Sequence, residues 1–327
     1  MNPVGGSPSP SAGGLRVGLY LPTFTGSFSG RTPRWPDLLD LARTAEAAGL
    51  HSIWIADELL WRFEGEPTLG FWESWTLVSA IAAATSTIEI GTLVMCTNYR
   101  PPALLAKMAE TADEVSGGRI TLGLGAGWSA DQFAAFGVES THLVDRFEES
   151  LTVIRGLLHE GSVSFDGRYH RVADCEIEPR GPRPGRIPIL VGASRPRMIS
   201  LAARDADAWN GFLVGRSFAT EIPPLRAALD AACAEVGRDP ATLGRSAAVV
   251  VAYGDDPVMV GPSDWTERAI RGSPEEIADQ MAAFAREGID HLQVAVLPTT
   301  SANVDRFLKS LEILSCAPTG TRSSTST

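Results

Sequence analysis

Two adjacent carboxylates, Asp57 and Glu58, close an apolar run, Ser52–Asp57 (SIWIAD). Side by side at a strand end, such a pair suits general acid–base work. The plainer reading gives one of them a ligand or arginine partner and leaves the other solvated. A second cluster, Gly192-Ala193-Ser194-Arg195-Pro196, stands between an apolar run and a helical stretch. Free N–H groups at a helix start, a hydroxyl and two nearby guanidinium groups, Arg195 and Arg197, would cradle a phosphate. An ordinary Ser N-cap followed by Pro in the first turn accounts for the same letters, and local sequence leaves both open. Gly123-Leu-Gly125-Ala-Gly127-Trp128 looks like a dinucleotide loop until its sixth position, where glycine is required and Trp128 stands. The glycines then serve a sharp strand end or a close-lying ligand.

Other chemistry is poorly represented. His51, His142, His159, His170 and His291 show no metal spacing, so no metal is expected. No GxSxG elbow points to a hydrolase. No lysine falls on a predicted strand end, which disfavours a Schiff-base lyase or aldolase. Trp54, Trp75 and Trp209 read as core. Trp61, Trp72 and Trp128 fall on predicted loops and would wall an apolar pocket for a planar ligand.

These residues need a scaffold that brings distant segments to one place. Eight apolar runs alternate with helical patterns: 16–21, 52–57, 88–96, 119–125, 187–191, 207–210, 247–252 and 291–297. They are nearly continuously apolar, as parallel strands buried on both faces must be. A (β/α)8 TIM barrel accounts for all eight; a doubly wound open sheet is the alternative. Two stretches interrupt the alternation. Ser162–Val172 alternates around Asp166–Gly167, a hairpin signal, and 255–272 is irregular. In a barrel the functional face is the C-terminal end of the strands. That rule selects Thr23, Phe24, Asp57, Glu58, Cys96, Thr97, Asn98, Gly125–Trp128, Gly192–Ser194, Trp209, Asn210 and Pro298.

Composition narrows the class further. With 28 basic and 39 acidic residues the net charge is −11, which argues against nucleic acid or an anionic membrane surface as partner. The four cysteines are dispersed, with no CxxC, as in a cytoplasmic protein with free thiols. No apolar run reaches the ~18 residues of a membrane span. Residues 1–14 read as a disordered leader, 15–314 as one domain and 315–327 as a disordered tail.

The block IEIGTLVMCTNYRPPALLAKMAETADEVSGGRITLGLGAGW, residues 88–128, resembles the luciferase-like flavin-dependent oxidoreductases, most of all the branch that uses the deazaflavin coenzyme F420. GLYLPTF (18–24), AEAAGLHSIWIAD (45–57), RFEESLTVIRGLL (146–158), IPILVGAS (187–194) and ARDADAWN (203–210) extend the resemblance over most of residues 15–215. It implies a luciferase-like (β/α)8 barrel with reduced F420 or FMN over the mouth. It also implies a non-prolyl cis bond in a bulge around Thr92–Met95. Asp57 would contact the cofactor, Thr97 and Asn98 would line the ring site, and Gly192, Ala193 and Ser194 would hold the phosphate.

Two positions depart from that branch. Glu58 stands where it usually has His, and only Asp131 offers a carboxylate in the Ala130–Phe133 segment after GAGW. The expected function is oxidation or reduction of an organic small molecule, with hydride transfer by F420 favoured. An FMNH2/O2-dependent monooxygenase and a non-catalytic subunit of a heterodimer are the alternatives. Glu58 is the expected proton donor or acceptor, and Trp128 the wall of the substrate side. A homodimer and a separate reductase supplying reduced cofactor complete the expectation.

Overall fold

A computed structural model describes residues 14–254 and 264–316 of the chain. Eight parallel strands close into a barrel: β1 (Arg16–Tyr20), β2 (Ser52–Ile55), β3 (Glu89–Thr92, resuming as Met95–Cys96), β4 (Ile120–Gly125), β5 (Ile189–Gly192), β6 (Ala208–Phe212), β7 (Gly244–Ala252) and β8 (His291–Leu297). Neighbours pair in chain order, β8 returns to β1 (Val17↔Leu292), and β4 pairs with β5 (Leu190↔Gly123). Closure removes the open edges of the eight-stranded sheet. The open-sheet alternative is thereby set aside.

Helices α1 (Trp35–Ala47), α2 (Ser74–Ala84), α3 (Pro102–Ser116), α4 (Ala130–Phe136), α5 (Leu143–Arg155), α6 (Pro196–Asp205), α7 (Ile222–Glu235), α8 (Pro274–Arg286) and α9 (Ser301–Cys316) surround it. Local chemistry sets their ends. Pro occupies the first turn of α1, α3, α6, α7 and α8, where its missing N–H costs nothing. α3 stops at Gly117, whose φ of 69° is the left-handed region glycine enters freely. α8 starts in a reciprocal capping box between Ser273 and Glu276. The apolar faces of these helices bury Leu38, Val78, Leu105, Leu151, Ile199, Leu229 and Phe284 against the outside of the barrel.

The inside of the barrel is packed and partly polar. Trp54, Leu93, Leu190 and Ala248 fill it, with Tyr20, Val94 and Ala208 beside them. Trp54 fits because its strand neighbours are glycines: a Cβ at Gly91 would lie 2.2 Å from the indole ring. Lower down, Ser52 Oγ accepts from Trp54 Nε1 at 2.7 Å and meets His291 Nε2 at 2.7 Å. Asn210 Nδ2 donates to Ser246 Oγ at 2.9 Å and to Gln293 Oε1 at 2.8 Å.

Some expectations shift. The third apolar run is one run in sequence but two strand segments, parted at the non-prolyl cis bond Leu93–Val94 within the stretch the resemblance indicated. The hairpin forms as Ser162–Asp166 against Arg171–Glu176. After it, the Pro- and Arg-rich stretch is pinned to α3 by Arg180–Glu110 at 3.0 Å and Arg183–Asp113 at 2.5 Å. Trp61 lies not on a loop but in a two-residue strand, Leu60–Trp61, paired with Leu69–Gly70. It stacks among Phe24 and Phe71, with ring centroids 5.3 and 4.6 Å away. Residues 1–13, 255–263 and 317–327, which hold most of the expected leader and tail and part of the second irregular stretch, lie outside the described residues.

Candidate active site

The two carboxylates at the end of β2 part company. Asp57 turns inward, its side chain 1% exposed. Arg100 grips it with Nη1 to Oδ2 at 2.8 Å and Nη2 to Oδ1 at 3.1 Å. Ser74 Oγ donates to Oδ1 at 2.5 Å, and the Cys96 N–H donates to Oδ2 at 2.9 Å. Bidentate charge-assisted bonds of this kind are strong and directional. Asp57 thus ties β2 to the start of α2 and to the end of β3. Arg100 extends the tie to Glu73, the N-cap of α2, at 2.6 Å.

Glu58 faces the other way, toward the segment after β4. Trp128 Nε1 donates to its Oε1 at 2.8 Å, and Gln132 Nε2 donates to its Oε2. Desolvation pushes the carboxyl above its usual range, while hydrogen bonds from Trp128, Gln132 and Trp61 pull the other way. The net upward direction brings its protonated form closer to neutral pH, as a general acid requires. Tyr20, at the end of β1, is raised by burial and by the nearby Glu58 charge, so its hydroxyl stays protonated. Cys96 is pushed up to about 12, first by burial, which makes it a poor nucleophile.

The floor of the mouth is built by the interrupted β3. Thr92 Oγ1 donates to Gly123 O and accepts from Gly123 N, both at 2.9 Å. A Cβ at Gly123 would sit 1.9 Å from Thr92 O, so only glycine admits the bulge. A Cβ at Gly125 would lie 2.6 Å from Val94 Cγ2, and one at Gly192 would lie 3.3 Å from Val94 Cγ1. Val94 therefore lies between the ends of β4 and β5. Thr97 is buried with Oγ1 3.4 Å from Gly125 O, and Asn98 Nδ2 donates to Ala126 O at 3.3 Å.

Across the mouth, Gly192–Ser194 lead into α6. The Ala193 N–H is bonded to Asn210 O at 3.1 Å, and Trp209 Nε1 donates to Ala193 O at 2.8 Å. The N-cap residue is Arg195, not Ser194, and no side chain caps the helix. The ordinary Ser cap is therefore not formed. Arg195 makes no ion pair among the described residues. Arg197, expected beside it, is instead held by Asp145 at 2.5 Å and Glu148 at 2.9 Å on α5. An uncapped helix start with an uncommitted guanidinium group fits a phosphate. The glycines around Val94 make room for the bulge, which sets Val94 in the floor of the mouth. The residues present thus fit a phosphate-bearing cofactor.

The strand-end rule brought Asp57, Glu58, Thr97, Asn98, Trp128 and Gly192–Ser194 to one mouth. It missed Arg100 and Gln132. Arg100 sits in a turn after Asn98, and Gln132 is a neutral residue on a short helix. Asp131 is exposed on α4, and it is Gln132 that faces Glu58. Trp128 is 63% exposed, edge-on to Glu58. Trp72 Nε1 is engaged by Pro33 O at 2.8 Å.

A closed parallel barrel with an uncapped helix start and a raised carboxyl at one mouth suits a cofactor-dependent enzyme. The luciferase-like monooxygenase family model matches residues 15–260, and the chain belongs to that family. Over 263 residues it is 32% identical to the F420-dependent hydroxymycolic acid dehydrogenase of Mycobacterium tuberculosis, covering 79% of this chain and 68% of that protein. Over 178 residues it is 34% identical to an F420-dependent glucose-6-phosphate dehydrogenase of Amycolatopsis mediterranei, covering 52% of this chain and about half, 51%, of that relative. An F420-dependent secondary alcohol dehydrogenase solved with an F420-acetone adduct superposes with a TM-score of 0.76 at 17% identity, covering 92% of this chain and 99% of that one. At that identity the likeness shows the fold.

Proposed function

We propose that the protein is an F420-dependent oxidoreductase that interconverts an alcohol-type and a carbonyl-type organic small molecule. The observation that carries this reading is Glu58: a half-buried carboxyl at the barrel mouth, raised by desolvation and held by two donors. When bound, the reduced deazaflavin supplies a hydride. The protein's own residues do the rest. In the reducing direction Glu58 gives its proton to the substrate oxygen; in the oxidising direction it takes one. The uncapped start of α6, with Gly192, Ala193, Ser194 and Arg195, binds the cofactor phosphate. Thr97 and Asn98 line the ring site, and Asp57 holds the end of β2 through Arg100. Trp128 walls the substrate side, and the cluster of Phe24, Trp61 and Phe71 keeps water from one flank. The protein works as a homodimer, and a separate reductase regenerates the reduced cofactor.

The test is anaerobic incubation of the protein with reduced F420 and a panel of neutral aldehydes and ketones. Formation of oxidised F420 with matching alcohol product supports the reading. No turnover there, with oxygen-dependent turnover of FMNH2, moves the assignment to a monooxygenase.

A further inference from the structure

Gln132 is buried, 0% exposed, yet it belongs to α4, a helix of only two turns on the mouth. Its carbonyl oxygen Oε1 accepts from the Leu59 N–H at 2.7 Å and from the Tyr99 hydroxyl at 3.1 Å. Donors on that side admit only an acceptor, so the NH2 group must point the other way, at Glu58 Oε2. The amide orientation therefore follows from its neighbours.

We propose that Gln132 is a positioning residue whose side-chain amide, locked in one orientation, fixes the Glu58 carboxylate in place and keeps its Oε2 an acceptor. The proton-handling role of Glu58 rests on the function proposed above; the positioning by Gln132 does not. Trp128 does the same for Oε1, so both Glu58 oxygens receive donors from one segment, residues 128–132. A proton on Glu58 must use a lone pair that neither donor occupies. An amide suits this role where a carboxylate does not, because it donates and never titrates. Glutamate at 132 would set two carboxyl groups against each other, and one would hold a proton. The other titratable or charged groups around Glu58 are Tyr20 from β1, Asp57 beside it, and Cys96, Tyr99 and Arg100 from the end of β3 and the turn after it. Tyr20, Cys96 and Tyr99 are raised and stay neutral, and Asp57 is paired with Arg100.

The test uses the indole N–H resonance of Trp128 in the full-length protein without cofactor, assigned by its loss in Trp128→Phe. This proton touches Glu58 and reports its charge. In the parent protein the resonance moves with pH, and Glu58→Gln removes the step. Gln132→Met removes one donor to the charged form and moves the midpoint up by about one pH unit. Gln132→Glu, close in shape, moves it up further. Midpoints unchanged in both variants would reduce Gln132 to packing and overturn the proposal. So would a Trp128 resonance that ignores Glu58→Gln. The pH profile of turnover separates the two readings. If the resonance shifts and the profile shifts with it, both stand. If the resonance shifts and the profile does not, Gln132 keeps its role and Glu58 loses its catalytic one.

Discussion

The lower interior of the barrel and its mouth both bury polar groups, but they treat them differently. Below, His291 meets Ser52 Oγ and packs edge-on to Trp54, with ring centroids 5.5 Å apart. Burial holds its pKa well below the ordinary histidine value, so it stays neutral. Its partners Ser52 and Trp54 reach it from β2 through the barrel interior, and little more than packing is asked of it. At the mouth, Glu58 takes its donors from the segment after β4, residues 128–132, and burial pushes it toward the neutral pH range rather than away from it. Burial therefore produces an inert residue in one place and a titratable one in the other. The difference lies in the sign of the charge: desolvation disfavours the charged form of each group, which raises a carboxyl toward neutral pH and lowers an imidazole away from it.

The comparison breaks most sharply at Glu58. Glu58→Gln keeps the shape and should lower turnover by about 10²- to 10⁴-fold with little change in melting temperature. Full turnover with an unchanged pH profile would make Glu58 as structural as His291. Arg100→Met works in the opposite sense. It leaves Asp57 buried without its cation and should cost about 3–5 kcal/mol in urea unfolding. A loss under 1 kcal/mol would mean that Ser74 and the Cys96 N–H suffice to hold Asp57.

In the lower barrel, Gly91→Ala presses a methyl into Trp54 and should cost about 1–3 kcal/mol while leaving cofactor affinity unchanged. A parallel loss of affinity would show that the two regions are mechanically coupled. The smallest effect concerns pH. The His291 pKa is depressed in the folded state, so the unfolded chain binds its proton first as pH falls. Its contribution is complete above pH ~6.5 and declines below it, by at most about 1.4 kcal/mol per pH unit. Urea unfolding at pH 7 and pH 5.5 should show that decline, and His291→Gln should reduce it.

Much of the barrel is legible in the sequence because parallel strands must be apolar on both faces, and eight such runs stand out. The break in β3 is not legible that way, since Leu93 and Val94 are as apolar as their neighbours. The carboxylates, the glycines and the Ser194 region were found by one rule, strand ends in a barrel. Arg100 and Gln132 escaped it because their partners, Asp57 and Glu58, lie 43 and 74 residues away in sequence. No local pattern marks a glutamine whose role comes from what it touches. The same holds for Arg197, expected beside Arg195 as a phosphate partner and drawn away by Asp145 and Glu148 of α5.

On the proposed function, the mouth takes a phosphate-bearing deazaflavin. Equilibrium titration of the purified protein with F420 and with FMN, each oxidised and reduced, tests it most directly. F420 should bind at least about tenfold more tightly than FMN, a difference near 1.4 kcal/mol. Tight binding of reduced FMN with weak F420 binding would contradict the cofactor assignment, and binding of neither would contradict the enzyme itself.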